Sequence, residues 1–392
     1  MNSDYEIRIT PSKGKALFAL KTFNEGDIIL EEEPVVSCQF LWNAAYKYLA
    51  CDHCLRPLET AEENVRRLTN NLSISLPHMK CCETDKSLQT ACPFCGVLYC
   101  SNQCQETAYS RYHRMVCHSA DHPLARLCDL WKSIHYPPET ANIMMIARII
   151  ALIEQAENKQ AVVDVFSQFC QRSVNENEQL IIKLLGEEYM AVLEEIRQLL
   201  VEAFPSDLSK QWLSPEGFLS LLSLIATNGQ GVGSTAFGQW VKNVSNIQVA
   251  PEEKASIDNL IQLSYAQMDE HVGCFLNNEG SALYSLESSI NHSCVPNAEP
   301  CFLHNNFMIT VKAVKNISPG EEICISYLDE CVTSRRRYFR QKILKENYLF
   351  ICRCEKCELE ANDPDESSDE DSEDESAMED SDQESGFSEE VR

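Results

Sequence analysis

The chain lacks the usual markers of a secreted or membrane-spanning protein. Its first residues, MNSDYEIRIT, are charged and contain no apolar core of the kind a signal peptide carries. No stretch approaches the ~18 uncharged apolar residues that a transmembrane helix needs. The expectation is a soluble protein of a reducing compartment, cytoplasmic and also compatible with the nucleus. In that setting its 20 cysteines serve metals rather than disulfides. Positive charge is also scarce: 33 Lys and Arg against 60 Asp and Glu leave a net charge of −27, a poor match for direct nucleic-acid binding. The glycine-rich TNGQGVG at 227–233 has no following Lys-Ser/Thr and no preceding β-branched strand, so it does not read as a phosphate-cradling loop. It reads as a turn exposing backbone groups.

What is present starts with size. At 392 residues and 44% hydrophobic, the chain can bury a large core and divides naturally into two or three domains. The acidity is uneven. Residues 358–392 carry 17 Asp or Glu against one Arg, a net of −16, which leaves −11 for the rest. Segments such as ESSDEDSEDES offer almost no apolar side chains to offset the entropy of folding, so a disordered tail is expected. Such a tail either solubilises the protein or steers basic partners toward it.

The cysteines are patterned. Cys51-x2-Cys54, Cys92-x2-Cys95, Cys100-x3-Cys104 and His113-x3-Cys117 fall within 67 residues. Tetrahedral zinc takes thiolate and imidazole ligands, and short spacings let one tight turn present two of them, so four pairs imply two ions. The 37 residues of 55–91 separate the first pair from the second and contain a helical-looking stretch at 60–71. They also contain Cys81-Cys82, read as loop cysteines because adjacent cysteines fit one metal poorly. Farther along, Cys294 and the Cys352-x-Cys354-x2-Cys357 run make a third set of four, and a metal there would pin the C-terminal turn over the segment Asn291-His292.

Around these clusters, residues 5–33 alternate as short strands joined by turns at Gly14 and Gly26. Residues 120–226 carry helical periodicity, as in IMMIARIIALIEQ and LLGEEYMAVLEEIRQLLVEAF, and a second helical pair spans 234–272. FMITVKAV and EEICISYL read as strands with a turn at Ser318-Pro319-Gly320. The basic run Arg335, Arg336, Arg337, Arg340 and Lys342 reads as a solvated helix face.

NHSCVPN (291–297), GEEICISYLD (320–329) and CRCEKC (352–357) resemble the SET-domain protein lysine methyltransferases. CDHC, CPFC, YCSNQC and HRMVC resemble the MYND zinc finger, and the combination is similar to the SET and MYND domain family. An acidic tail stands where most of that family carries a helical repeat domain. The resemblance implies an α+β protein: a β-rich SET fold with a pseudoknot, an inserted MYND zinc finger, a helical insertion and a disordered acidic C-terminal tail. Its segments would be the first SET part (1–50), MYND (51–117), the helical insertion (118–272), the second SET part (273–347), a post-SET zinc segment (348–358) and the tail (359–392).

The resemblance further implies S-adenosylmethionine as cofactor and three zinc ions. Asn291 and His292 match positions whose backbone meets the adenine, Lys13, Gly14 and Lys15 the turn near the methionine end, and Phe350 an aromatic packed on the adenine. Tyr327 and Tyr348 match the catalytic channel tyrosines, with Tyr327 also lining the cofactor. Asn228, Gly229 and Gln230 align with the substrate side, but the aromatic that follows them in relatives is missing. The implied partners are basic proteins, histones or ribosomal proteins, with proline-containing peptides at MYND and a monomeric state. Two other readings stay open: an interaction protein with an idle SET core, and a RING-like ubiquitin ligase, which leaves NHSC and GEEICISY without a purpose.

Overall fold

The computed structural model describes residues 4–44, 46–133, 142–170, 174–273 and 276–362. It divides into two compact units: Met1–Asn24, Ile290–Glu299 and Val314–Arg392 in the first, Glu25–Ser289 and Pro300–Ala313 in the second. Most of the acidic tail, 363–392, lies outside the described residues. Among the described residues no helix is long and apolar enough to cross a membrane.

The first unit is built on a four-stranded sheet in the order Tyr5–Thr10, Gly14–Ala19, Glu322–Ile325, Asn291–His292. The alternation of YEIRITPSKGKALFA makes the antiparallel hairpin, with Ile7 opposite Leu17 and Thr10 opposite Gly14. Its turn needs glycine for conformation rather than room: Gly14 has φ +69°, and a Cβ there would meet nothing within 4 Å. Thr10 closes the turn, its hydroxyl donating to the Gly14 carbonyl at 3.1 Å and accepting the Lys13 N–H at 3.2 Å. The last pairing is parallel, Cys324 against Asn291 and Ile325 against His292. Two short chain segments distant in sequence thereby lie side by side.

After the sheet comes the helix Arg337–Tyr348, which corrects the sequence reading of its basic run. Arg340 is fully buried rather than solvated: its guanidinium donates to the Glu360 carboxylate at 2.7 Å and to the Arg335 carbonyl. The charge is tolerated inside because it is paired. The same contact corrects the tail boundary, since Glu360, assigned to the disordered tail, belongs to the folded body just beyond the helix Glu355–Leu359. Leu349 ends the longer helix in the left-handed region at φ +59°, which turns the chain sharply between Tyr348 and Phe350.

The second unit contains the four metal-spaced pairs, the helical region and a three-stranded sheet, Val36–Gln39, Asn278–Leu283 and Gln230–Ser234. That third strand corrects the reading of 227–233 as an exposed turn. Thr227 and Asn228 end the helix Pro215–Asn228, and Gln230–Ser234 pairs antiparallel with Asn278–Leu283, Val232 opposite Gly280. The glycines suit a tight sheet: a Cβ at Gly280 would stand 2.5 Å from the Cys38 carbonyl oxygen.

The long spacer 55–91 is a packing element. Thr60 and Glu63 form a capping box on the helix Ala61–Leu68. Val65 and Leu68 join Phe237 and Trp240 of Ala236–Val244, with Ile257 and Met268 of Pro251–Val272, in a separate apolar core. Trp240 seals it by donating its indole N–H to the Pro77 carbonyl at 3.0 Å. Elsewhere in this unit Glu32 accepts the Leu286 and Glu287 N–H groups, each at 3.0 Å. Glu287 is itself buried, and burial together with the nearby Glu32 pushes its carboxyl up to about 8.

Candidate functional site

All twelve residues expected to bind metal assemble into three groups of four, within each of which the ligand atoms lie inside 4.8 Å of one another. In the second unit the pairs interleave: Cys51 and Cys54 join Cys100 and Cys104, while Cys92 and Cys95 join His113 and Cys117. The intervening hairpin, Thr90–Ala91 against Leu98–Tyr99, sets the crossing. Four sulfurs about 2.3 Å from one tetrahedral ion stand about 3.8 Å apart. The Cys54–Cys100, Cys92–Cys117 and Cys294–Cys357 separations are each 3.6 Å. Thiolates so crowded need a cation among them, and this donor set and spacing fit zinc. Cys81 and Cys82 belong to none of the three groups.

A buried arginine that the sequence reading passed over supports the first loop. Arg148 donates to the Ser37 and Asp52 carbonyls at 2.7 and 2.9 Å and to the Asp52 carboxylate at 2.6 Å. Its guanidinium also lies 4.7 Å from the centre of the Tyr112 ring. Asp52 sits between two ligands, so this one side chain ties the metal loop to the strand Val36–Gln39. The one cation inside IMMIARIIALIEQ is the available signal.

The third group lies in the first unit beside the residues expected to bind cofactor. Tyr327 sits 5.0 Å from Tyr348, 5.4 Å from His292 and 6.3 Å from Phe350, ring centre to ring centre. The left-handed turn at Leu349 is what brings both Tyr348 and Phe350 back to Tyr327. Tyr327 donates its hydroxyl proton to the Ile290 carbonyl at 2.7 Å, and Tyr348 donates to the Tyr327 carbonyl at 3.3 Å. Each hydroxyl proton is thus directed at a backbone carbonyl, an orientation in which a phenol oxygen acts as an acceptor. His292 is buried, and desolvation holds its imidazole down at about 4.

One carboxylate organises the polar side. Glu322 accepts from Lys13 Nζ at 2.7 Å through one oxygen and from Asn291 Nδ2 at 3.0 Å through the other. Asn291 Nδ2 also donates to the Lys15 carbonyl at 3.0 Å. Burial disfavours the Lys13 charge, but the hydrogen bond and charge of Glu322 outweigh it and raise the lysine. Nothing local in GEEICISYLD marks a role for Glu322; its distant partners supply one. The first unit thus unites Lys13, Gly14, Lys15, Asn291, His292, Tyr327, Tyr348 and Phe350. An ammonium, a carboxylate, an amide and a set of aromatic faces fit a zwitterionic ligand with a flat heterocycle, as S-adenosylmethionine is.

Asn228, Gly229 and Gln230 lie in the second unit. Asn228 is buried and its amide is committed to the fold, accepting the Cys170 N–H at 3.1 Å and donating to the Cys170 and Leu224 carbonyls at 3.3 and 2.9 Å. Gln230 donates to the Gly231 carbonyl at 3.1 Å.

Comparison with known proteins gives a consistent picture. The SET domain family matches residues 14–328. Protein-lysine N-trimethyltransferase SMYD5 of Homo sapiens is 47% identical over 371 residues, covering 93% of this chain and 89% of its own. The protein of the same name from Danio rerio is 47% identical over 364 residues, covering 92% and 88%. Histone-lysine N-methyltransferase ASHR1 of Arabidopsis thaliana is 26% identical over 351 residues, 88% of this chain and 53% of its own.

Proposed function

The chain belongs to the SET-domain protein-lysine N-methyltransferases, within the SMYD family, and from that premise we propose that it moves a methyl group from S-adenosylmethionine to lysines of basic proteins. The observation that carries this reading is the meeting of Tyr327, Tyr348, Phe350 and His292 with the Lys13–Glu322–Asn291 network in one unit. A metal-binding interaction module has no use for that meeting.

Asn291, Lys13, Gly14, Lys15, Phe350 and the backbone of His292 would hold the cofactor, which supplies an electrophilic methyl on a sulfonium. Tyr327 and Tyr348 would flank the incoming amine. With their protons directed at backbone carbonyls, their oxygens accept N–H from the amine and aim its lone pair, a gain of several kcal/mol through orientation. Aromatic walls desolvate the lysine ammonium and so favour the neutral nucleophile, without a dedicated base. The rings also sit well beside positive charge. Three zinc ions at the cysteine clusters complete the proposed holoenzyme. A net charge of −27 favours encounter with basic substrates, histones or ribosomal proteins, over acidic ones. Trimethylation, the product in the names of the SMYD5 relatives, is the state we propose.

The test is transfer of radiolabelled methyl from S-adenosylmethionine to fractionated histones and ribosomal proteins, with mass spectrometry of the labelled band. Labelling that Tyr327→Phe abolishes, while calorimetric cofactor binding survives, supports the proposal. A wild-type protein that neither binds the cofactor nor labels any fraction would sink it.

A further inference from the structure

Around Tyr327, His292 has both ring nitrogens engaged. The Tyr327 backbone N–H donates to His292 Nδ1 at 2.9 Å. Nδ1 is therefore an acceptor, and the ring proton belongs on Nε2. Nε2 faces Cys294 Sγ at 3.3 Å, an N–H donor set against a sulfur of the third ligand group. The ring is buried and packed against Tyr327 and Phe350, 5.4 and 6.1 Å between centres. It has little freedom to exchange its partners.

We propose that His292 acts through its side chain as a positioning residue, a bridge that fixes Tyr327 in register with the third metal site. This rests on the reading of Tyr327 as a channel tyrosine. The Tyr327 N–H is held by His292, its carbonyl accepts from Tyr348, and its hydroxyl donates to Ile290, two residues before His292. Displacing the ring would release the strand end on which both tyrosines depend. The sulfurs are otherwise suited to a quiet structural role: Arg340 Nη2 donates to Cys357 Sγ at 3.6 Å and the Cys354 N–H to Cys352 Sγ at 3.5 Å. N–H donors that disperse thiolate charge are what hold a metal-ligand shell in place. Cys294 takes one such donor from the residue that also grips Tyr327.

The bridge makes a demand that simple core packing does not. Phe at 292 would fill the volume with neither hydrogen bond, whereas Gln carries an acceptor and a donor about as far apart as the two ring nitrogens. The experiment uses the full chain loaded with cadmium in place of zinc and labelled at its histidine nitrogens. Long-range proton–nitrogen correlation identifies the His292 tautomer, and cadmium NMR reads the ligand set and any coupling to the Nε2 proton. Methyl-transfer kinetics and calorimetric cofactor binding are measured on His292→Phe and His292→Gln.

The expected result is an Nε2–H tautomer coupled to a four-sulfur cadmium site. His292→Phe should keep that four-sulfur signal and bind cofactor within about twofold of wild type while kcat falls about tenfold, with His292→Gln recovering most of the loss. A proton on Nδ1 would overturn the proposal, as would a second cadmium signal of three sulfurs and one nitrogen beyond the one that Cys92, Cys95, His113 and Cys117 give, which would make His292 a ligand. Equal kcat in wild type and His292→Phe would overturn it too. Should His292→Phe fail to fold, the tautomer and the Gln variant decide. Absence of methyl transfer by the wild type would overturn the functional reading alone, since tautomer and coupling are read without substrate.

Discussion

In the second unit, the loop between Cys51 and Cys54 is tied by Arg148 to a strand of the scaffold; in the first unit, Cys294 is tied by His292 to Tyr327. Both connections place a nitrogen donor next to a metal-ligand group. What differs is the far end of the connection, a backbone strut in one unit and a proposed catalytic tyrosine in the other. The same ligand chemistry therefore predicts different losses: stability in the second unit, function in the first.

The largest test of that difference is Arg148→Met. Asp52 is left mostly buried without its partner, so unfolding free energy should drop by roughly 3–5 kcal/mol, measured by chemical denaturation. Cofactor affinity of the protein that remains folded should match wild type, and a large drop there would erase the contrast between the units.

Glu287 supplies the next test, through pH. Its carboxyl, normally near 4.5, is raised to about 8 in the folded protein. The folded state binds the proton more tightly, so this contribution to stability is fully present below the unfolded value and is lost as pH rises through 8. Glu287→Gln should therefore stabilise by roughly 2–4 kcal/mol at about pH 9 and by little at about pH 4. Thermal unfolding across that range gives the answer, and a pH-independent difference would remove the buried carboxyl as its cause.

In the first unit, Lys13→Met should raise the KM for the cofactor about tenfold with kcat nearly unchanged, the mark of lost ground-state binding. Steady-state kinetics at saturating protein substrate separate the two, and an effect confined to kcat would move Lys13 from binding to chemistry. The smallest effect belongs to Leu349, half-exposed at φ +59°. Asn tolerates that backbone better, so Leu349→Asn should gain roughly 0.5 kcal/mol. A loss in the same denaturation assay would mean that the Leu side chain packs for more than its backbone costs.

The parts of this architecture that were legible in the sequence are those whose signal is local. Ligand pairs are separated by two or three residues because a turn must present both, so the twelve ligands could be named before any fold was known, although which pair joins which could not. Tyr327 and Asn291 came from short motifs. The hairpin turning at Gly14 and the helical stretch that starts at 60 follow from nearest neighbours. Buried charges stayed hidden because burial depends on a partner elsewhere: Asp52 lies 96 positions from Arg148, and Glu360 lies 20 from Arg340. Read alone, Arg340 is one of several cations on a helix. The strand Gln230–Ser234 was lost for a related reason, since its glycines look like a turn until Asn278–Leu283 is placed beside them.

The first unit's sheet also has a history that its finished form conceals. The Lys13–Glu322 contact joins residues 309 positions apart, and the hairpin Tyr5–Ala19 meets its next strand only at Glu322. On a ribosome adding 5–20 residues per second, that hairpin waits on the order of 15–60 s for its partner. Its inward residues Leu17 and Ala19 are fully buried at the end but uncovered throughout the delay. A hairpin made some 300 residues before its partner strand is thus among the last parts to be finished, and for that interval its safekeeping falls to whatever meets the nascent chain.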